Sequence, residues 1–223
     1  MRLLIVIMGA AALTACGGIR QLTVSPPELG FRYLTRLVDD GFDNGERWRQ
    51  FTSESELNMG VGDGVYRIDF SGRQYVWAER EGQHRDIVME VNATQISDYD
   101  HNAYGLACRL DAAGSGRGYF FLISGDGYAS IRWSNGRSLE PIVSAAPSEH
   151  IRRGASSNRL RVVCIEDYLA LWVNGHFVAE ARDQRASHGA VALAGVMNYA
   201  GRRLALEFDD LKIWRAALDG SKP

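Results

Sequence analysis

From residue 37 onward, apolar positions in this chain recur at every second residue, in short runs separated by Gly, Asn, Asp and Ser. VYRIDF places Tyr66, Ile68 and Phe70 on one side and Val65, Arg67 and Asp69 on the other. DIVMEVNA places Ile87, Met89, Val91 and Ala93 inward and Val88, Glu90 and Asn92 outward. A period of two belongs to strands, whose successive side chains point to opposite faces. YLALWVNG groups Leu169, Leu171 and Val173, ends on Asn174-Gly175 and leads into HFVAEA, a hairpin signal because the tight turn needs two residues that tolerate positive φ. SGDG at 124–127 and SNGR at 134–137 mark further hairpins. About a dozen such runs occur and no helical period follows the N-terminal segment. The pattern predicts an all-β fold, a two-layer antiparallel β-sandwich over 37–215.

In RRLALEFDDLKIW the alternation breaks. Leu204, Leu206 and Phe208 share one parity, Leu211 and Ile213 the other, which predicts a bulge at Asp209-Asp210. VDDGFDN at 38–44 supplies more carboxylates, and first and last strands commonly pair in such sandwiches. Asp40, Asp209 and Asp210 are therefore either turn-capping aspartates or oxygen ligands for calcium.

The first fifteen residues, MRLLIVIMGAAALTA, are basic at the start, then apolar, then small. A membrane span needs about 20 apolar residues, so the run is read as a signal peptide over 1–15. Leu13-Thr14-Ala15-Cys16 resembles the bacterial lipobox. That resemblance implies a lipid on Cys16, which becomes the mature N-terminus; the alternative is an ordinary signal peptide followed by a chance cysteine. Residues 16–36 lack a clean period, carry Pro26-Pro27 and read as a tether, and 216–223 as a tail. The expected location is the extracytoplasmic side of a bacterial envelope, at the outer membrane or cell surface.

A formal net charge of −2, with the arginines scattered rather than clustered, gives no reason to expect a nucleic-acid partner. Beyond Cys16 the cysteines are Cys108 and Cys164, each sharing its parity with apolar neighbours. In an exported protein such a pair is either a bridge between facing strands or two unlinked buried thiols, and the compartment favours the bridge.

DHNAYGLACRL, YFFLISGDGYASI, NRLRVVCIEDYLALWVNG and EFDDLKIW together resemble laminin-G-like, concanavalin A-like jelly-roll domains of bacterial exported proteins. These include the group named after 3-keto-disaccharide hydrolases, distantly related to family-16 glycoside hydrolases. The resemblance covers about 37–215 and implies a jelly roll; that fold hosts binders, spacers and hydrolases alike. Family-16 enzymes carry Glu-x-Asp-x-(x)-Glu on one strand. Here MEVNATQ offers Glu90, then Asn92 and Gln95, and lacks the central aspartate and second glutamate.

No Gly-x-Ser-x-Gly elbow is present, and no two of His84, His101, His150, His176 and His188 share a His-x-x-x-His spacing. A binding face is the stronger expectation, since sugars are held by aromatic rings and polar groups. Outward parity nominates Glu90, Asn92, Arg109, Tyr128 and Arg132, with Phe120 beside them and Tyr99, Asn102 and Tyr104 at one edge. The bland counterpart is an ordinary solvated sheet face. The expected function is a membrane-anchored, non-enzymatic module directed at carbohydrate. The alternatives are a glycan or keto-sugar hydrolase using carboxylates among Asp69, Glu79, Glu90 and Asp100, and a structural spacer contacting another envelope protein.

Overall fold

The computed structural model describes residues 27–53, 57–112 and 114–219; the signal peptide, Cys16 and most of the tether lie outside the described residues. The first strands are β1 (Phe31–Asp40), β2 (Phe51–Thr52), β3 (Leu57–Gly62), β4 (Val65–Ser71), β5 (Gln74–His84), β6 (Ile87–Gln95) and β7 (Asn102–Leu110). They are followed by β8 (Gly118–Ile123), β9 (Tyr128–Ser134), β10 (Leu139–Pro147), β11 (Ser157–Ile165), β12 (Tyr168–Val173), β13 (His176–Arg182), β14 (Gly189–Met197) and β15 (Arg203–Leu218). Among the described residues there is no helix.

Two antiparallel sheets form the sandwich. The nine-stranded sheet runs β13-β12-β11-β6-β15-β4-β3-β2, with β1 also paired to β15, and the six-stranded sheet runs β10-β9-β8-β7-β14-β5. First and last strands do pair, Asp40 lying opposite Leu211. The sheet takes in β1 from Phe31, so residues 31–36, read above as tether, are strand. Asn174 and Gly175 both have positive φ, 52° and 86°, the turn demanded by the hairpin of β12 and β13. The parity switch in the last strand is a bulge: the register against β6 slips between Asp209 and Lys212, and Asp210 sits at φ 56°.

The main core lies between the sheets and holds the inward residues of the alternation, among them Tyr66, Ile68, Phe70, Met89, Leu169 and Leu171. Cys108 of β7 and Cys164 of β11 are joined by a disulfide across it, their Cα atoms 7.0 Å apart, so the bridge ties one sheet to the other.

The alternation fails at one further place. Arg109 takes a left-handed φ of 55°, and β7 slips against β14 between Ala190 and Ala192. The bulge turns Leu110 away from the core face of Tyr104, Leu106 and Cys108, into an outer cluster with Ala107 and Phe120. Arg109, expected on a solvated face, is 2% exposed. Its guanidinium donates to the carbonyls of Arg85, Glu166 and Ala186 at 2.7–3.3 Å and lies 3.5 Å from the Asp86 carboxylate. It closes one end of the sandwich by satisfying loop carbonyls that burial would otherwise leave unpaired.

Candidate functional site

The outer face of the six-stranded sheet carries small residues along its middle. In GAVALAGVM of β14, Val191, Leu193 and Met197 face the core while Ala190, Ala192, Ala194 and Val196 face out. β7 pairs Ala103 with Val196, Gly105 with Ala194 and Ala107 with Ala192. Larger side chains rise on both flanks: Tyr75 and Trp77 from β5, and Tyr128, Ser130 and Arg132 from β9. Small residues between large ones make a trough.

Half of this trough is filled. Tyr75 stacks on Trp77 with centroids 5.6 Å apart and meets Phe120 edge-on at 6.4 Å, and these rings cover the alanines. The other half is open, a cleft of about 790 Å³. Ala103, Leu122 and Val196 line it; Tyr75 stands on the β5 side and Tyr128, Ser130 and Arg132 on the β9 side. A cleft of this size suits a small ligand of a few rings.

One end of the cleft is a polar and aromatic rim. His101 Nδ1 lies 2.9 Å from Asp126 Oδ2, and Ser124 donates its hydroxyl to the other oxygen of Asp126. Tyr99 packs edge-on against Tyr199 at 5.7 Å, with the Arg202 guanidinium 4.8 Å above its ring. Tyr199 is 52% exposed. Asn102 fixes this end. Its amide donates to Gln95 Oε1 at 3.0 Å and to the Tyr99 carbonyl, and its oxygen accepts from the Gly125 amide at 3.4 Å.

Arg132 differs from its surroundings. Half-buried, it donates to Ser130 Oγ at 3.2 Å and to the Leu139 carbonyl at 3.3 Å. Among the described residues no carboxylate pairs with it. Desolvation alone lowers its pKa from the ordinary arginine value.

Of the residues nominated from sequence, Tyr128, Arg132 and Asn102 meet at this cleft, and Tyr99 packs at its rim against Tyr199. The others do not. Glu90 and Asn92 were placed with them on the premise that β6, β7 and β9 are neighbours, but β6 belongs to the opposite sheet. Glu90, read as a solvated strand residue, is 5% exposed. It accepts from Arg159 at 2.5 Å, Arg161 at 2.6 Å and the Tyr33 hydroxyl at 2.9 Å. Burial pushes its pKa up, but these three donors outweigh it and hold the carboxyl below its usual range. Asn92 donates to Asp210 at 3.2 Å. Tyr104 is fully buried in the main core, its hydroxyl accepting from Asn158 at 3.3 Å, with burial pushing its pKa up to about 12. Phe120 lies under the Tyr75 edge and Arg109 at the end of the sandwich.

The aspartates do not converge either. Asp40 accepts from the Phe42 amide, from Trp48 Nε1 at 3.0 Å and from Arg80 Nε at 3.2 Å. Asp209 accepts the Asp210 amide at 2.6 Å, and Asp210 accepts from Asn92. Among the described residues no group of three or more His, Cys, Asp or Glu side chains stands ready for a metal ion. The carboxylates considered for hydrolysis are also dispersed. Asp69 binds Arg203 and Glu90 its arginines on the nine-stranded sheet, while Glu79 accepts from Trp77 at 2.8 Å beside a separate recess. Asp100 lies in the loop before β7.

Sequence reasoning missed Tyr75, Ser130, Tyr199 and the His101–Asp126 pair. Tyr75 and Trp77 were accessible from the alternation in QYVWA, and the trough from the small-out, large-in pattern of GAVALAGVM. The rim comes from three separate loops and carries no local signal.

No family model and no curated protein matches this chain. Solved structures do. The carbohydrate binding module CBM66 from Bacillus subtilis superposes with a TM-score of 0.61 at 15% identity, over 77% of this chain and 97% of its own. A prokaryotic β-1,3-1,4-glucanase (lichenase) from a mouse hindgut metagenome gives 0.60 at 11%, over 82% and 100%. A Bacillus subtilis protein of unknown function with a galectin-like fold gives 0.59 at 12%, over 84% and 99%. At these identities the likeness is one of fold: the chain is a jelly-roll, galectin-like sandwich.

Proposed function

We propose that this protein is a carbohydrate-binding module whose site is the open cleft on the outer face of the six-stranded sheet, and that it binds without hydrolysing. The carrying observation is the cleft itself: an apolar floor of Ala103, Leu122 and Val196, the Tyr75 ring on one side, and Tyr128, Ser130 and Arg132 on the other. Sugars present C–H faces to rings and hydroxyls to polar groups, and this arrangement offers both. Two of the fold neighbours, a carbohydrate binding module and a glucanase, are carbohydrate proteins by their own descriptions, which fits the reading. Glycoside hydrolysis in most families uses two carboxyl groups flanking the bond. Asp126 is the one carboxylate among the described residues lining the cleft, and it is held by His101 and Ser124.

The test is a glycan microarray read with the native protein and with Ala103→Trp, which fills the floor of the cleft and removes no charge. The native protein binds one glycan class and the variant, folded by circular dichroism, loses it. Binding that survives the variant places the site elsewhere. Mass spectrometry of the bound glycan after incubation should show no cleavage; new reducing ends would make the protein an enzyme.

The same reading makes the module a lipoprotein held at the outer membrane or cell surface through Cys16. The lipobox-like Leu13–Cys16 sequence supports this, and the Cys108–Cys164 bridge fits an oxidising compartment. Labelling with radioactive palmitate should mark the native protein and not Cys16→Ser.

A further inference from the structure

The arginines around the cleft lack the carboxylate partners that several arginines of the nine-stranded sheet have. On the nine-stranded sheet, Arg159 and Arg161 hold Glu90, Arg203 holds Asp69, and Arg67 holds Glu207 and Asp63. Buried Arg109 has Asp86 within 3.5 Å and three carbonyls besides. Around the cleft the pattern reverses. Arg73, Arg132 and Arg137 line it, and among the described residues none of the three makes an ion pair. The one carboxylate there, Asp126, is bonded to His101 and Ser124.

Arg132 matters most of the three. A guanidinium has five N–H donors, of which two are accounted for by Ser130 and Leu139. One Nη1 proton and both Nη2 protons have no partner among the described residues. This group is half-desolvated, so it gains more from an anion than a surface arginine does, and its planar fork matches a carboxylate in two-point contact. Its neighbours Ser130 and Leu139 hold the guanidinium in place, so little side-chain freedom is lost when an anion arrives.

We propose that the cleft takes an acidic glycan, a uronate unit docking its carboxylate on the free edge of the Arg132 guanidinium, with Arg73 and Arg137 adding attraction from the rim. This rests on the carbohydrate reading above and adds the ligand's charge to it. Neutral glycans lack the group that would pair with Arg132.

The test is calorimetric titration of the protein with galacturonate, glucuronate and mannuronate oligosaccharides, each beside its carboxyl-reduced, neutral counterpart, and with a sulfated neutral oligosaccharide. At least one oligouronate binds about tenfold or more tighter than its reduced form, the scale of a charge-assisted two-point contact. Arg132→Gln brings the two forms to within about twofold, its fold checked by thermal melting. The exposed pair Arg73→Ala/Arg137→Ala cannot disturb a core; it lowers the preference in part and flattens its dependence on salt. Equal binding of acidic and reduced forms by the native protein sinks the acidic assignment and leaves a neutral-sugar site standing. An unchanged preference in Arg132→Gln also overturns it, and a preference for the sulfated sugar alone replaces uronate with sulfate ester. Silence toward every sugar, here and on the microarray, removes the carbohydrate reading and this inference with it.

Discussion

Glu90 and Arg132 occupy comparable places, each on the outer face of a strand paired on both sides, one in either sheet. Glu90 is surrounded: two arginines and a tyrosine hydroxyl point at its carboxylate, and Phe31, Tyr33, Trp172 and Trp214 form a chain of edge-on rings beside it. Arg132 is left with open donors beside an open cleft. Both faces are built on the same alternating pattern. They differ in what fills the middle of the sheet. Bulky and charged residues on β6, β11 and β15 close one face on itself, whereas on the other the rings of Tyr75, Trp77 and Phe120 cover only part of the sheet and leave room over Ala103, Leu122 and Val196. A self-satisfied face contributes to stability, and a face with space and unmatched charge is the one suited to a ligand.

That contrast can be broken at several points. Severing the link between the sheets should have the largest effect. For a disulfide spanning 56 residues, Cys108→Ser/Cys164→Ser should cost about 4 kcal/mol in chemical denaturation. Arg109→Met follows, at about 3 kcal/mol, because it strands the carbonyls of Arg85, Glu166 and Ala186; glycan affinity measured below the melting transition should not move. Glu90→Gln should cost about 1–2 kcal/mol at neutral pH, reduced from a fully buried pair because Arg159 and Arg161 are partly exposed. A carboxylate held below its ordinary pKa adds stability that is complete above about pH 4.5 and fades as pH falls through the lower folded value. The gap between native and Glu90→Gln melting temperatures should therefore close in acid. Smallest of all, Arg132→Ala should cost about 0.5–1 kcal/mol, since it releases no carboxylate and gives up only the bonds to Ser130 and the Leu139 carbonyl beside the open cleft, while glycan affinity falls sharply. A large loss of stability in Arg132→Ala with unchanged binding would erase the distinction between the faces.

Much of the fold is legible in the chain. Period-two burial, the Asn174-Gly175 turn and the bulge at Asp209-Asp210 follow from local pattern, whereas parity alone puts Cys108 and Cys164 in the core and the expected compartment favours their bridge. Sheet membership does not, since β6 reads like β7 and β9 but pairs with β11 and β15. That single ambiguity grouped Glu90 and Asn92 with residues of the other sheet. Arg109 was hidden differently: a left-handed residue inside a strand reverses the parity after it, and nothing in GLACRL announces the bulge. Tyr128 and Arg132 share the outer face, as their parity implies, because β9 is regular. Tyr75 and the alanine floor were readable but look like unremarkable strand until β5, β14 and β7 are seen side by side. The rim of His101, Asp126 and Tyr199 exists only in three dimensions.

The central claim is that ligand recognition belongs to the six-stranded sheet's outer face. Chemical-shift mapping by NMR, during titration with whichever glycan the microarray selects, tests it most directly. The account predicts shifts concentrated at Ala103, Leu122, Ser130, Val196 and the Arg132 side chain, with Glu90, Asn92 and Trp214 still. Shifts gathered around Glu90 and Trp214, with the trough unmoved, would contradict it.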